Sequence, residues 1–545
     1  MMPRLLIVCA FAASLHAAGN RTVLSQRAEP RTFNPVIAVD APTRDILRLL
    51  HGRLARINGG TLGVDPSLAK SWRFSPDGRV CNIELRQGIR FSDGDPFDAD
   101  DVLFSFEVYL DAKLGSTQRD LLAPEGQPIQ VTKAGPYAVR IEFPVPHAPG
   151  ARLFDGLAML PKHLLDKPYR EGKLAQSWTV ASPLNQIAGL KPFIAERYVP
   201  GQRLVLKRNP NYWQPGKPGL DEVEILFTPD QTAEALRFRH GEIDLLQRPS
   251  AKSFTAFEAA TAKLDLGPSL EYHFLFFNLN GGSQKLSEGV RAKQVWFQDI
   301  AFRKAVSLAA DRAAMAKLAF EGRASALAHH VTPGNKAWLV ETAPPRHSID
   351  EAKKLLQQAG FRLQGGSLTS AAGQAVEFSL LVNSANAAQM QIATILQEDL
   401  RALGIKLRIT PMEFRSLVDR VTRSLDFEAA IMGLGSGDAD PNSEMNIWMS
   451  SGSMHVWNLS AEKNPLPWEL EIDQWMRRQR STLNVSERKR AYGNVQKLVA
   501  EHLPVIALVS PHLLVVHKPG LQGVRPSIVP PYALWNIEDW RWGSR

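Results

Sequence analysis

Residues 68–106, LAKSWRFSPDGRVCNIELRQGIRFSDGDPFDADDVLFSF, constrain the fold of this chain more than any other stretch. Trp72 and Phe74 alternate with polar neighbours, Ser75, Pro76, Asp77 and Gly78 supply turn residues, and Cys81, Ile83 and Leu85 alternate again. A period of two on both sides of a turn predicts a hairpin with one buried face. A third short run, Ile89 and Phe91, stops at Ser92, Asp93, Gly94, Asp95 and Pro96. Asp98 and Asp101 then stand at the cap and first turn of a helix continued by Val102, Leu103, Phe104 and Phe106. Carboxylates suit the positive end of a helix, so these acids build the fold and need no catalytic role.

The N-terminus has another character. Arg4 precedes an apolar run over residues 5–15, and Ala17, Ala18 and Gly19 offer small residues for cleavage near Asn20, which predicts a secretory signal peptide over residues 1–19. Cys9 lacks the small residue before it that a lipid anchor requires. No later run approaches the roughly 18 apolar residues of a membrane span, so the mature chain is expected to be soluble and, without an anchor, periplasmic. Cys81 is then the only cysteine of the mature chain; no internal disulfide can form, and its alternation with Ile83 makes it a packed thiol. The net charge of +9 raises nucleic-acid binding. Its densest cluster, Arg477, Arg478, Arg480, Arg488, Lys489 and Arg490, lacks interleaved aromatics and is expected on a solvated helix face.

With 545 residues the chain has room for about three or four domains. Leu47, Leu50 and Leu54 form a helical stripe, Tyr137 to Phe143 alternates as a strand, and a helix can start at Pro161. Strands are expected at residues 203–207 and 223–227, a helix at 232–240 ending at Gly241, and a short strand at 242–246, which makes a βαβ unit. A further strand covers 272–280 and one amphipathic helix covers 300–318. Helices at 348–359 and 389–403, the latter flanked by strands at 378–382 and 405–409, repeat the mixed α/β character.

Ser67 and Lys70 match the S-x-x-K of penicillin-recognising serine enzymes, but no K-T-G or S-D-N completes that site. Gly433 to Gly437 follows an apolar strand, yet Asp438 replaces the third glycine of a dinucleotide fingerprint. His273, His329 and His330 lack metal-ligand spacing. The loop GLGSGDADP, residues 433–441, is different: glycines permit close backbone approach, and Asp438 and Asp440 lie beyond a strand end. Carboxylates there suit a ligand ammonium; Asp-Pro turn chemistry is the competing use.

Taken in order, LAKSW, SPDG, ELRQGIRFSDGDPFDADDV, NPNYW, GLDEVEILF, HGEIDLL, FFNLN, FRKAVSLAADR, SIDEAKKLLQQAGF and LQEDLRALGIKLRI make the chain resemble the family 5 extracellular solute-binding proteins of ABC importers, the oligopeptide, dipeptide and nickel type. The resemblance implies an α/β, two-lobe periplasmic-binding-protein fold of the large class, with an extra subdomain and lobes joined by crossing strands. Mapped onto this chain, lobe I takes residues 20–57, 181–274 and 511–545, with a subdomain at 58–180, and lobe II takes 275–510. It implies a non-enzymatic, monomeric receptor without a cofactor, whose partners are a peptide or small-molecule ligand and an inner-membrane permease. It places the ammonium-binding aspartate best at Asp438 and second at Asp440, with Asn278 of FFNLN and Gly437 beside them. Three departures stand out: Leu434 replaces a tryptophan, no arginine near residues 383–386 awaits a dipeptide carboxylate, and the usual G-T-G-P-F reads Gly189, Leu190, Lys191, Pro192, Phe193. Two alternatives remain, a secreted serine hydrolase using Ser67 and Lys70, and a metal or metallophore receptor on the same fold.

Overall fold

The computed structural model describes residues 20–543 apart from 460 and 462; the expected signal peptide lies outside the described residues. Strands Ala69–Phe74 and Val80–Leu85 pair antiparallel, with Trp72 opposite Ile83 and Phe74 opposite Cys81. The turn closes where Gly78 N–H donates to Ser75 C=O, and Gly78 sits at φ +69°, a conformation that glycine adopts without a Cβ clash. Strands Ala138–Glu142 and Gln130–Gly135 complete a four-stranded sheet. Cys81, Ile83, Leu85, Val139 and Ile141 are buried. Burial pushes the Cys81 thiol up to about 12, as expected of a packed, inert sulfur.

Helix Ala99–Leu110 starts as the acids predict. Asp98 accepts from Asp100 N–H at 2.7 Å, and Asp101 Oδ2 accepts from Asp98 N–H at 3.1 Å. Asp101 Oδ1 also accepts from Lys162 N–H at 2.9 Å, so one buried carboxylate secures the starts of two helices, Ala99–Leu110 and Lys162–Arg170.

The larger sheet runs in the order Lys406–Met412, Glu377–Asn383, Ala429–Gly435, Glu271–Phe277, Ile506–His517, Leu245–Gln247, Arg21–Gln26, Glu222–Phe227, Arg203–Arg208, Phe193–Val199. Arg21–Gln26 lies between Glu222–Phe227 and Leu245–Gln247 and is parallel to both, so the predicted βαβ unit closes around an N-terminal strand. In the other half Glu377–Asn383 and Lys406–Met412 are parallel neighbours joined by helix Ala387–Arg401. Two large apolar cores result, one holding Phe274, Phe277, Phe302, Phe378 and Trp448, the other Phe33, Ile83, Phe91, Phe154 and Trp540. The second core continues without a break from the four-stranded sheet into the larger one.

Strand Ile506–His517 belongs to both halves. Ile506, Ala507, Leu508 and Val509 pack in the first core and Val515 in the second, while its partners change from Glu271–Phe277 to Ala262–Pro268 and Leu245–Gln247. The two halves are therefore joined by this strand and by the passage from Ala262–Pro268 into Glu271–Phe277.

Two expected elements differ. The single helix at 300–318 is two, Ile300–Ala309 and Arg312–Phe320, because Asp311 leaves the helical conformation and caps the second, accepting from Ala314 N–H at 2.9 Å. Leu54 does not extend the stripe of Leu47 and Leu50, since helix Ala41–Leu50 ends at His51; Leu54 is buried in the bend before strand Ala55–Ile57, and its C=O accepts from Ser67 and Ala69 N–H. Asp101→Ala strips acceptors from two helix starts and is expected to cost about 1–3 kcal/mol in urea unfolding. An unchanged midpoint would remove the shared-cap explanation.

Candidate functional site

Strand Ala429–Gly435 is paired along its whole length with Glu271–Phe277, which carries loop 433–441 to the seam between the halves. Ser436 Oγ donates to Asp438 C=O at 2.5 Å and lies 2.8 Å from Ser443 Oγ, closing the loop on itself. Asp440 is 3% exposed and caps Pro441–Glu444 by accepting from Asn442 N–H. Arg488 grips the same carboxylate with two hydrogen bonds, 2.7 and 2.6 Å. Its Nε donates to Gln479 C=O at 2.8 Å, and its guanidinium lies over the Trp338 ring at 4.9 Å. The expectation of a solvated basic face fails at this residue: helix Val485–His502 turns Arg488 inward, where burial of the cation is compensated by Asp440. Asp440 thus follows the turn chemistry that the sequence offered and adds a buried ion pair.

Asp438 faces the other half. Arg152, on the short helix Gly150–Asp155, donates through Nη1 to Asp438 Oδ1 at 2.5 Å and through Nη2 to Leu62 C=O. Asp438 Oδ2 makes no hydrogen bond to a described residue. Burial pushes this carboxyl up to about 6; Arg152 pulls it down and Asp440 pushes it further up. Around the pair, Leu270, Ala439 and Val529 are buried with Ile57 and Leu62 against them, and Ala148 N–H donates to Arg480 C=O at 3.0 Å. Asn335 Nδ2 donates to Ala439 C=O at 2.8 Å, steadying the loop between the two aspartates. A Cβ on Gly437 would meet nothing within 4 Å, so that residue borders open space.

Asn278 stands elsewhere. It is fully buried, its amide donates to Leu425 and Phe427 C=O at 2.8 Å each, and its oxygen accepts from Asn280. Ser67 and Lys70 are not brought together: Ser67 is buried, whereas the exposed Lys70 ammonium pairs with Glu84 at 2.9 Å. His329 contacts Val340 C=O and His330 the Tyr492 hydroxyl, both buried, and burial lowers the proton affinity of each. His273 lies 3.3 Å from the Gln389 amide. Among the described residues no group of three or more His, Cys, Asp or Glu could hold a metal ion, and no helix is long and apolar enough to cross a membrane. Sequence reasoning missed Arg152 and the inward turn of Arg488.

Residues 63–455 match the pattern of the family described as "Bacterial extracellular solute-binding proteins, family 5 Middle". The chain is 26% identical over 515 residues to the "Probable ABC transporter-binding protein" of Deinococcus radiodurans, covering 88% of this chain and 85% of that relative. Identity to the "Oligopeptide-binding protein AppA" of Bacillus subtilis is 26% over 537 residues, covering 96% of this chain and 91% of the relative. A solved structure of AppA from Bacillus subtilis in complex with a nonapeptide is similar with a TM-score of 0.78 at 24% identity, covering 96% of this chain and 99% of that one. That likeness is one of fold, two lobes joined by crossing strands.

Removing the partner of a buried carboxylate leaves an uncompensated charge. Arg488→Met is expected to lose about 3–5 kcal/mol in urea unfolding, whereas Arg490→Met, exposed two residues on, stays within about 0.5 kcal/mol of the wild type. Equal effects would contradict the buried pair. Asp438 gives a pH signature of definite sign. Its folded value of about 6 lies above the ordinary 3.8, so the folded protein holds a proton that the unfolded chain releases in that window. Stability conferred by this group falls as pH rises from about 4 to about 6, by on the order of 2 kcal/mol, and is flat above. Unfolding of wild type and Asp438→Asn at both ends of the window measures it; parallel pH profiles would refute the assignment.

Proposed function

Because the chain belongs to the bacterial extracellular solute-binding proteins of family 5, we propose that it is a periplasmic receptor that captures peptides or peptide-like compounds between two lobes and delivers them to an ABC importer in the inner membrane. Its Bacillus relative, an oligopeptide-binding protein, supports the peptide class. On this reading the mature chain begins near Asn20 and acts as a monomer without catalysis. One lobe takes residues 20–274 and 511–545, including the subdomain 58–180, and the other takes 275–510; the two strand passages at 262–277 and 506–517 support those limits.

The receptor works by population shift. Cargo touches both lobes when they are closed and one when they are open, so its binding free energy favours closure, which the permease then reads. The observation that carries the assignment is Asp438 at the seam, with Oδ1 held by Arg152 and Oδ2 unused. A carboxylate fixed on one oxygen is oriented to accept a cargo ammonium on the other. Gly437 leaves room beside it, while Asp440, engaged by Arg488, keeps the loop in place.

Isothermal titration of the mature chain with short peptides, each as the free amine and as its N-acetyl form, tests this reading. Free-amine peptides are expected to bind more tightly, and Asp438→Asn to weaken them by about 1.5–3 kcal/mol while sparing the acetylated forms. Equal binding of both forms, or indifference to the substitution, would reject the role of Asp438.

A further inference from the structure

A small cavity of about 40 Å3 lies in the lobe that carries Arg152, and it is lined by four cations against two anions: Arg48, Arg53, Arg56 and Lys191 with Asp155 and Glu538. Two of the cations are balanced. Arg48 donates to Asp155 Oδ2 from both Nη atoms at 3.0 Å, and Arg56 Nη1 reaches Glu538 at 2.5 Å, with Asp65 3.9 Å from its Nε. Arg53 is 8% exposed, and among the described residues it donates to His51 C=O at 3.3 Å while its buried Nε finds no acceptor. No described carboxylate lies within ion-pair distance of the Lys191 ammonium. Among the described residues these two cations thus share one recess without a carboxylate in ion-pair contact; Asp155 and Glu538, already engaged by Arg48 and Arg56, act on them only from farther off, an arrangement that burial makes costly unless an anion completes it.

The position of Lys191 is built in. The backbone at Gly189 presses so closely on Leu50 that a Cβ would fall 2.0 Å from the Leu50 oxygen. Lys191 N–H donates to that same oxygen at 3.2 Å, and its C=O accepts from Asn209 Nδ2 at 2.9 Å. Lys191, one of the two altered residues of the G-L-K-P-F segment, is therefore held at the cavity wall by its own main chain.

We propose that this cavity is the subsite for an anionic group of the cargo, a carboxylate such as a peptide's C-terminus. The inference rests on the receptor reading and deepens it. Helix Gly150–Asp155 links the two ends: Arg152 meets Asp438, and Asp155 meets Arg48 at the cavity. Cargo with a free ammonium and a free carboxylate would engage both lobes. The volume suits on the order of two or three water-sized groups, the size of a carboxylate head. Burial pushes Lys191 down to about 8; Glu538 pulls it up, and Arg56 and Arg53 push it further down, so the ammonium remains mostly charged at neutral pH and gains from an arriving anion.

The test titrates the mature chain with one peptide as its C-terminal acid and as its C-terminal amide, on wild type, Lys191→Met and Lys191→Arg. Wild type is expected to prefer the acid by about tenfold or more, Lys191→Met to abolish that preference without weakening the amide, and Lys191→Arg to retain most of it. Equal binding of acid and amide by wild type, or a preference that survives Lys191→Met, overturns the subsite and leaves the receptor reading standing. If neither form binds, the peptide reading fails, and titration with succinate and inorganic phosphate decides the subsite alone. Binding of either that Lys191→Met weakens about tenfold supports it, with the better probe naming the anion; absent or unaffected binding overturns it.

Discussion

Charge buried at the seam between two halves is the constraint on which this structure depends. Asp438 and Asp440 are two residues apart in one loop, yet their closest cations come from opposite directions, with Arg152 also 3.9 Å from Asp440. Asp440 is matched by Arg488 on its own side, with Trp338 covering the guanidinium and Asn442 N–H capped by the carboxylate. A buried pair of that geometry fixes the loop, because losing either member strands a charge. Asp438 is matched by Arg152 from the opposite half, so its compensation depends on how the halves stand relative to each other.

That difference connects packing to function. The halves have separate apolar cores and share two strand passages, which is the architecture for a hinge between rigid bodies. Apolar contact at the seam is small, Leu270, Ala439 and Val529 with their neighbours, against cores of dozens of residues. Polar contacts such as Arg152 with Asp438 then weigh heavily between the halves, and under the proposed reading cargo that supplies both an ammonium and an anion would add to closure where apolar burial contributes little.

Much of the fold could be read from local chemistry. The hairpin at residues 69–85, the capping by Asp98 and Asp101, and the two βαβ units all depend on residues near each other in sequence or on hydrophobic period. The helix break at Asp311 was legible too, since Asp before Arg312 is a cap signal, but an unbroken apolar stripe across it favoured one long helix. The site was legible only in part. The glycine-rich loop and its acids announced themselves, whereas Arg152 lies 286 residues from Asp438 and Arg488 lies 48 from Asp440. Helical period sets Arg488 apart from the exposed Lys489 and Arg490 beside it, since it falls on the stripe of Ala491, Tyr492, Val495 and Val499; reading the six basic residues as one charged face hid that, and its carboxylate partner lies outside the helix. Asn278, drawn toward the site by its motif, has every side-chain hydrogen-bonding direction turned to loop backbone and Asn280.

The most direct test of capture between the lobes is native mass spectrometry of the protein freshly isolated from its own cells, with the retained small molecules released and sequenced. Short peptides with free amino and carboxyl ends are expected, bound one per chain and lost from the Asp438→Asn protein. A retained metal chelate, or peptides held equally by both proteins, would contradict this.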